Sequence, residues 1–120
     1  MTTHNEIGKT YERPWGTYKT LEQGPGYQVK IIRVKPGGRL SLQRHQQRAE
    51  HWVVIEGEPT ITLNDKTRQY KVNETLHIGV QDIHRLENLT DKPVAIVEVQ
   101  IGAYLGEDDI ERLEDVYGRK

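Results

Sequence analysis

The chain has 120 residues, a formal net charge of −1 from 17 basic and 18 acidic residues, and no cysteine. That length suits one domain around a single core, and the lack of cysteine excludes disulfides and thiolate metal sites, leaving nitrogen and oxygen ligands for any metal. The balanced, interspersed charge gives no general attraction for nucleic acid or an acidic membrane, and no run is long and apolar enough to span a bilayer.

Residues 1–10 are polar and lack the apolar segment of a signal peptide, so the default expectation is a cytoplasmic protein whose first ten residues are candidates for disorder. Residues 11–120 read as one domain. Short runs rich in Val, Ile, Thr and Tyr alternate with turn signals. Strands are predicted near Thr17–Leu21, Tyr27–Val34, Arg39–His45, His51–Ile55, Thr60–Leu63, Arg68–Val72, Thr75–Ile78, His84–Leu89 and Val94–Ile101. Between them, Gly24-Pro25-Gly26, Pro36-Gly37-Gly38, Glu56-Gly57-Glu58-Pro59, Asn64-Asp65-Lys66 and Thr90-Asp91-Lys92-Pro93 disfavour continued helix. So many evenly spaced strands predict an all-β barrel or sandwich. One helix is predicted over Gly106–Glu114, where Glu107, Asp108 and Asp109 suit a helix N-terminus and Ile110 and Leu113 share a face.

Chemistry concentrates in two segments. Gln43 and His45 are one residue apart, which on a strand turns both side chains to the same face. Glu50 follows beyond a short bend, and His84 opens a later strand. An amide oxygen, two imidazoles and a carboxylate suit one borderline divalent ion such as zinc, manganese, iron, cobalt or nickel, with positions left for water or substrate. Each residue alone also reads as an ordinary polar strand, turn or surface residue; the combination is what points to a metal.

The stretch from Gly37 to Gly57 resembles the first cupin motif: a Gly, five residues, a ligand pair one residue apart, four residues, a Glu, six residues and a Gly. Gln43 stands where the first His is usual. His84 and, beyond three residues, Asn88 resemble the end of the second cupin motif, although its Pro-x-Gly turn is replaced near Gly79 and Gln81. A narrower resemblance runs from about Arg13 to Arg119, to the isomerase domain of type II mannose-6-phosphate isomerases, often the C-terminal part of bifunctional mannose-1-phosphate guanylyltransferase/mannose-6-phosphate isomerase enzymes. It is carried by Arg13-Pro14-Trp15-Gly16, Leu40-Ser41-Leu42-Gln43, Arg48-Ala49-Glu50-His51-Trp52, His84-Arg85-Leu86-Glu87-Asn88 and Tyr104-Leu105-Gly106-Glu107-Asp108-Asp109-Ile110. Gln46 and Gln47 depart from it by standing where extra histidines are common.

The resemblance implies a cupin double-stranded β-helix, a jelly-roll barrel, with a short C-terminal helix. It also implies metal-dependent interconversion of mannose 6-phosphate and fructose 6-phosphate, with Gln43, His45, Glu50 and His84 as ligands and zinc as the first choice of metal. No long N-terminal domain with a Gly-rich nucleotide-binding loop is present, so guanylyltransferase activity is not expected of this polypeptide. Arg48 and His51 flank Glu50 and are catalytic candidates, His51 being the more natural proton carrier; strict alternation from Glu50 would instead turn His51 away. Arg112 and Arg119 offer forked donors for a phosphate dianion, and Arg85 is a further cation beside His84. Trp15 and Trp52 are expected in the core or the pocket wall. Competing readings are a non-catalytic sugar-phosphate-binding cupin and another metal-dependent cupin enzyme such as an oxygenase. The expected partner is a small sugar phosphate, with neither nucleic acid nor membrane involved, and exposed edge strands make a homodimer the expected assembly.

Overall fold

The computed structural model describes residues 6–118. Among them the chain forms β1 (Thr10–Arg13), β2 (Gly16–Gly24), β3 (Tyr27–Val34), β4 (Leu42–Arg44), β5 (Arg48–Glu56), β6 (Thr60–Leu63), β7 (Lys66–Gln69), β8 (Thr75–Ile78), β9 (His84–Glu87), β10 (Val94–Gly102) and β11 (Glu111–Glu114). The strands pair antiparallel into a sheet ordered β1-β2-β3-β10-β5-β8 and a second ordered β11-β4-β9-β6-β7. One apolar cluster joins them, with Trp15 from the turn between β1 and β2, Ile32, Trp52, Val54 and Ile96 from the first sheet and Ile61 and Leu86 from the second. This is the all-β barrel expected from the turn-punctuated sequence, in the jelly-roll form that the cupin resemblance implies.

Each predicted strand has a counterpart; Tyr27–Val34, Thr60–Leu63 and Thr75–Ile78 keep both predicted ends, and each of the others shifts at one or both ends. The run predicted at Arg39–His45 contracts to β4, with Arg39 making only an isolated bridge to Glu87, and the run at His51–Ile55 lengthens to β5. β1 was not anticipated: it turns back at Pro14-Trp15 onto β2, where Tyr11 stacks on Tyr18 at 5.2 Å. Upstream of it Ile7 bridges to Thr20, so residues 6–10 are already tied to the sheet, while residues 1–5 lie outside the described residues. Gly16 explains the Trp-Gly pair in that turn: its φ is +153°, and a Cβ there would stand 2.0 Å from the Arg33 carbonyl oxygen. Gly57, the closing glycine of the first motif, has φ +74°, and an added Cβ there would stand 2.4 Å from the Pro93 carbonyl oxygen.

The predicted C-terminal helix is absent. Residues 107–108 form a turn and Glu111–Glu114 becomes the edge strand β11, paired with β4. A nine-residue helix has little stability of its own, and tertiary partners claim its acidic start. Asp109 accepts hydrogen bonds from the Gln46 and Gln47 amides, each at 2.9 Å, and Glu107 pairs with Lys30.

Inward alternation on three neighbouring strands divides the barrel. Ile32, Ile96 and Val54 form one cross-strand row, and the next inward rows along the strands are Lys30, Glu98 and Trp52, then Gln28, Gln100 and Glu50. All nine are buried. The same strands therefore supply an apolar plug at one end and a polar, charge-bearing chamber at the other. In the plug, truncating a fully buried side chain such as Ile96 to alanine costs about 2–5 kcal/mol.

Candidate metal centre and substrate cavity

The chamber opens into a cavity with about 100 Å³ of water-accessible space. Its walls include Gln43, His45, Arg48, Glu50, His84 and Arg112, together with Trp15 and Trp52. The four sequence-predicted ligands thus line one space, although they come from β4, the bend after it, β5 and β9. Gln43 and His84 are direct cross-strand partners. Potential ligand atoms of His45, Glu50 and His84 all lie within 4.8 Å of one another, and the three residues are buried.

Each imidazole is oriented through its outer nitrogen. His45 Nδ1 lies 2.6 Å from the Asp109 carbonyl oxygen, and His84 Nδ1 lies 2.9 Å from that of Asp82. A carbonyl can only accept, so in the neutral ring Nδ1 carries the proton and Nε2 presents its lone pair, the arrangement found behind metal-bound histidines. Burial lowers the His84 pKa, favouring that neutral form. The turn before His84 is built without the Pro-x-Gly of the motif. Gln81 adopts φ 67° and donates its amide to the His45 carbonyl at 2.8 Å, and Asp82 caps Gly79.

Glu50 sits at the centre of the network. Burial alone would raise its carboxyl, but the Arg48 guanidinium, then His45 and His84, hold it well below the usual carboxylate range. Arg48 Nε donates to Glu50 Oε2 at 2.8 Å and Trp52 Nε1 donates to Oε1 at 2.9 Å. His45 Nε2 is 3.1 Å from the same Oε2. With the His45 proton on Nδ1, two acceptors face each other at that distance, and the Arg48 guanidinium spans them, its Nη2 lying 3.2 Å from His45 Nε2 while its Nε serves Oε2. The donor set therefore fits a divalent ion: two pre-aimed Nε2 lone pairs, one ionised carboxylate and an amide residue at hand.

The structure adds wall residues that local sequence motifs did not reveal: Arg13, Tyr18, Lys30, Glu98, Gln100 and Glu107. The available signal was a charged residue in the inward phase of an otherwise apolar strand, as Lys30 is between Gln28 and Ile32 and Glu98 is between Ile96 and Gln100. Burial, reinforced by the neighbouring Glu50, pushes the Glu98 carboxyl up to about 8. Burial and then Glu107 push the Tyr18 hydroxyl up to about 12. Arg13 donates to that hydroxyl at 3.1 Å.

Other expected site residues are not brought to the cavity wall. His51 faces outward from β5 and is exposed, as alternation from Glu50 dictates. Arg85 is buried outside the wall, where its guanidinium binds the Leu40 carbonyl at 3.0 Å and the Glu114 carboxylate at 2.7 Å. It staples β11, and with it Arg112, to the sheet. Gln46 and Gln47 are exposed, and Arg119 lies outside the described residues. Asn88, the last residue of the second motif, acts structurally by donating to the carbonyls of Val34 and Lys92.

Residues 2–115 match the family model described as mannose-6-phosphate isomerase C-terminal. The chain is 55% identical over 107 residues to the alginate biosynthesis protein AlgA of Pseudomonas aeruginosa, covering 89% of this chain and 22% of that protein. It thus spans less than a quarter of that relative's length. Among solved structures, the capsular polysaccharide assembling protein CapF of Staphylococcus aureus superposes with a TM-score of 0.75 at 22% identity, covering 89% of this chain and 34% of CapF. A cupin-superfamily sugar phosphate isomerase of Silicibacter pomeroyi gives a TM-score of 0.65 at 20% identity, covering 71% of this chain and 58% of that one. Those two likenesses concern the fold, whereas the family match extends over nearly the whole sequence: the chain belongs to the mannose-6-phosphate isomerase C-terminal family of cupin domains.

Proposed function

We propose that this domain interconverts mannose 6-phosphate and fructose 6-phosphate, using one divalent ion, zinc in our assignment, held by Gln43, His45, Glu50 and His84. The observation that carries the proposal is the convergence of potential ligand atoms of buried His45, Glu50 and His84 within 4.8 Å of one another, in a cavity that also contains cations. When bound, the ion would supply Lewis-acid polarisation of the sugar carbonyl, easing loss of the C2 proton.

The chain's own residues do the rest. In the forward direction a base takes the C2 proton, the C2–H electron pair forms an enediolate across C1 and C2, the O2 hydroxyl proton is passed to O1, and a proton is returned to C1 as C2 becomes the ketone. Glu98, with its carboxyl raised to about 8, holds or accepts a proton near neutral pH inside the chamber. Arg48 stays charged, because Glu50, Glu98 and Glu107 outweigh the burial that works against the cation, and it offers donors to developing oxyanion charge. Arg112, half-buried on β11, and the exposed Arg13 lie toward solvent and suit the phosphate, a role in which we also place Arg119. Trp15, Ile32 and Leu40 form the apolar part of the wall and limit water.

This reading goes with a small-molecule enzyme of the cytoplasm, assembled as a homodimer; light scattering after size exclusion tests the assembly. The function is tested by stripping the protein with a chelator and following fructose 6-phosphate formed from mannose 6-phosphate as Zn²⁺, Mn²⁺, Co²⁺, Ni²⁺ or Fe²⁺ is restored. Metal-dependent turnover is expected, with Arg112→Ala raising KM about 10-fold or more while changing kcat less. Tight sugar-phosphate binding without turnover under every metal, or oxygen consumption with bound iron, would replace the isomerase reading with one of its competitors.

A further inference from the structure

The exposed face of the six-stranded sheet carries a histidine pair that the cavity chemistry leaves unused. His51 on β5 and His77 on β8 are direct cross-strand partners, and both side chains are exposed. Their ring centroids are 4.6 Å apart with the planes inclined at 37°. Among the described residues neither imidazole has a hydrogen-bond or ion-pair partner, so all four ring nitrogens are open to a ligand.

We propose that His51 and His77 form a second metal-binding site that takes one exchangeable borderline divalent ion, such as Zn²⁺ or Cu²⁺, between two cross-strand imidazoles. Neutral imidazole prefers such ions, and paired histidines chelate one when two nitrogens come within about 3.3 Å, the edge of a tetrahedron with Zn–N bonds of roughly 2.0–2.1 Å. The backbone register holds the two residues as direct cross-strand neighbours, which puts both imidazoles within reach of one ion. Water fills the remaining positions. β8 is the edge of its sheet, so an ion approaches from solvent without disturbing the ladder. The β10 partner of His51 is Val99 and the next outward residue on β5 is Val53; neither offers a competing ligand or a stabilising anion. Without a carboxylate the site is weaker than the cavity centre. Although His51 follows Glu50 in sequence, alternation puts the two on opposite faces of the sheet, so the two sites load independently.

The test is calorimetric titration of the metal-stripped full chain with Zn²⁺ alone at about pH 8, above the ordinary imidazole range, paired with elemental analysis. The native protein is expected to bind two ions in two resolved steps. His77→Gln should weaken the second step at least 10-fold and spare the first, whereas His84→Gln should do the reverse. One ion per chain in the native protein, or an unchanged weak step in His77→Gln, overturns the proposal. Imidazole NMR of the native protein gives a reading that does not depend on any variant folding. The resonances of His51 and His77 should shift together in the second step, and their failure to move overturns it equally.

Discussion

Two histidine pairs sit on opposite sides of one sheet's wall. Inside, His45 and His84 have ring centroids 5.0 Å apart at 48°; outside, His51 and His77 are 4.6 Å apart at 37°. Ring spacing alone does not distinguish them. The surroundings do. The inner rings are each aimed by a backbone carbonyl and share a carboxylate that Arg48 and Trp52 hold ionised and in place, whereas the outer rings face solvent without partners. A pair of imidazoles becomes a strong centre when a carboxylate and fixed tautomers accompany it.

Glu50→Gln should break the comparison most severely by removing the anion that only the inner pair has. Isomerase activity should fall roughly a thousandfold or more, since several kcal/mol of transition-state stabilisation leaves with the ion. The variant also takes from buried Arg48 its hydrogen-bonded carboxylate partner, at about 3–5 kcal/mol of stability, readable by denaturant unfolding. Zinc binding at the outer pair should persist.

Glu98 sharpens the contrast through pH. Its folded pKa of about 8 lies above the ordinary 4.5, so the folded state holds this proton more tightly than the unfolded chain. The stabilisation is therefore complete below about 4.5 and disappears as pH rises through about 8. Relative to Glu98→Gln, which keeps a neutral side chain at every pH, the metal-free native protein should lose a few kcal/mol between those limits. Parallel stability curves for the two proteins would show that the chamber does not hold Glu98 protonated.

Asp109→Ala tests the support behind the inner pair. It removes the carboxylate that anchors the Gln46 and Gln47 amides and loosens the segment whose carbonyl aims His45. Metal affinity in the cavity should fall about 10- to 100-fold, measured by chelator competition, with the outer site unaffected. The smallest effect is expected from His51→Gln: kcat/KM for the sugar phosphate should stay within about twofold of native, as for an exposed position distant from the reacting atoms. A loss as large as that of Glu50→Gln would return His51 to the catalytic site.

Much of this was legible in the chain. The period-two runs and the turn residues between them predict an all-β barrel or sandwich, because alternation and backbone turn preferences are local properties, and the cupin resemblance narrows that to a jelly roll. The spacing of Gln43, His45, Glu50 and His84 marks the metal candidates for the same reason, as alternation sets which way a strand residue points. The alternation that puts Glu50 inside also puts His51 outside, and the structure follows it. Less legible were residues whose role depends on a distant partner. Asp109 looks like a helix-start residue until the amides of Gln46 and Gln47 are brought to it, and Arg85 looks like a site cation until Glu114 takes it up. Lys30 and Glu98 gain their meaning from being opposite each other across β3 and β10.

The sequence by itself determined the strand rhythm, the side of each strand on which a residue lies and the four ligand types, since these follow from the chain's own covalent geometry and side-chain chemistry. Only the tertiary structure decided that the last segment is an edge strand, that the chamber holds a raised carboxyl beside a depressed one, and that two histidines from β5 and β8 meet outside the barrel. Those outcomes depend on which strands become neighbours, and pairing across tens of residues is set by the packing of the whole barrel, which no local window of sequence contains.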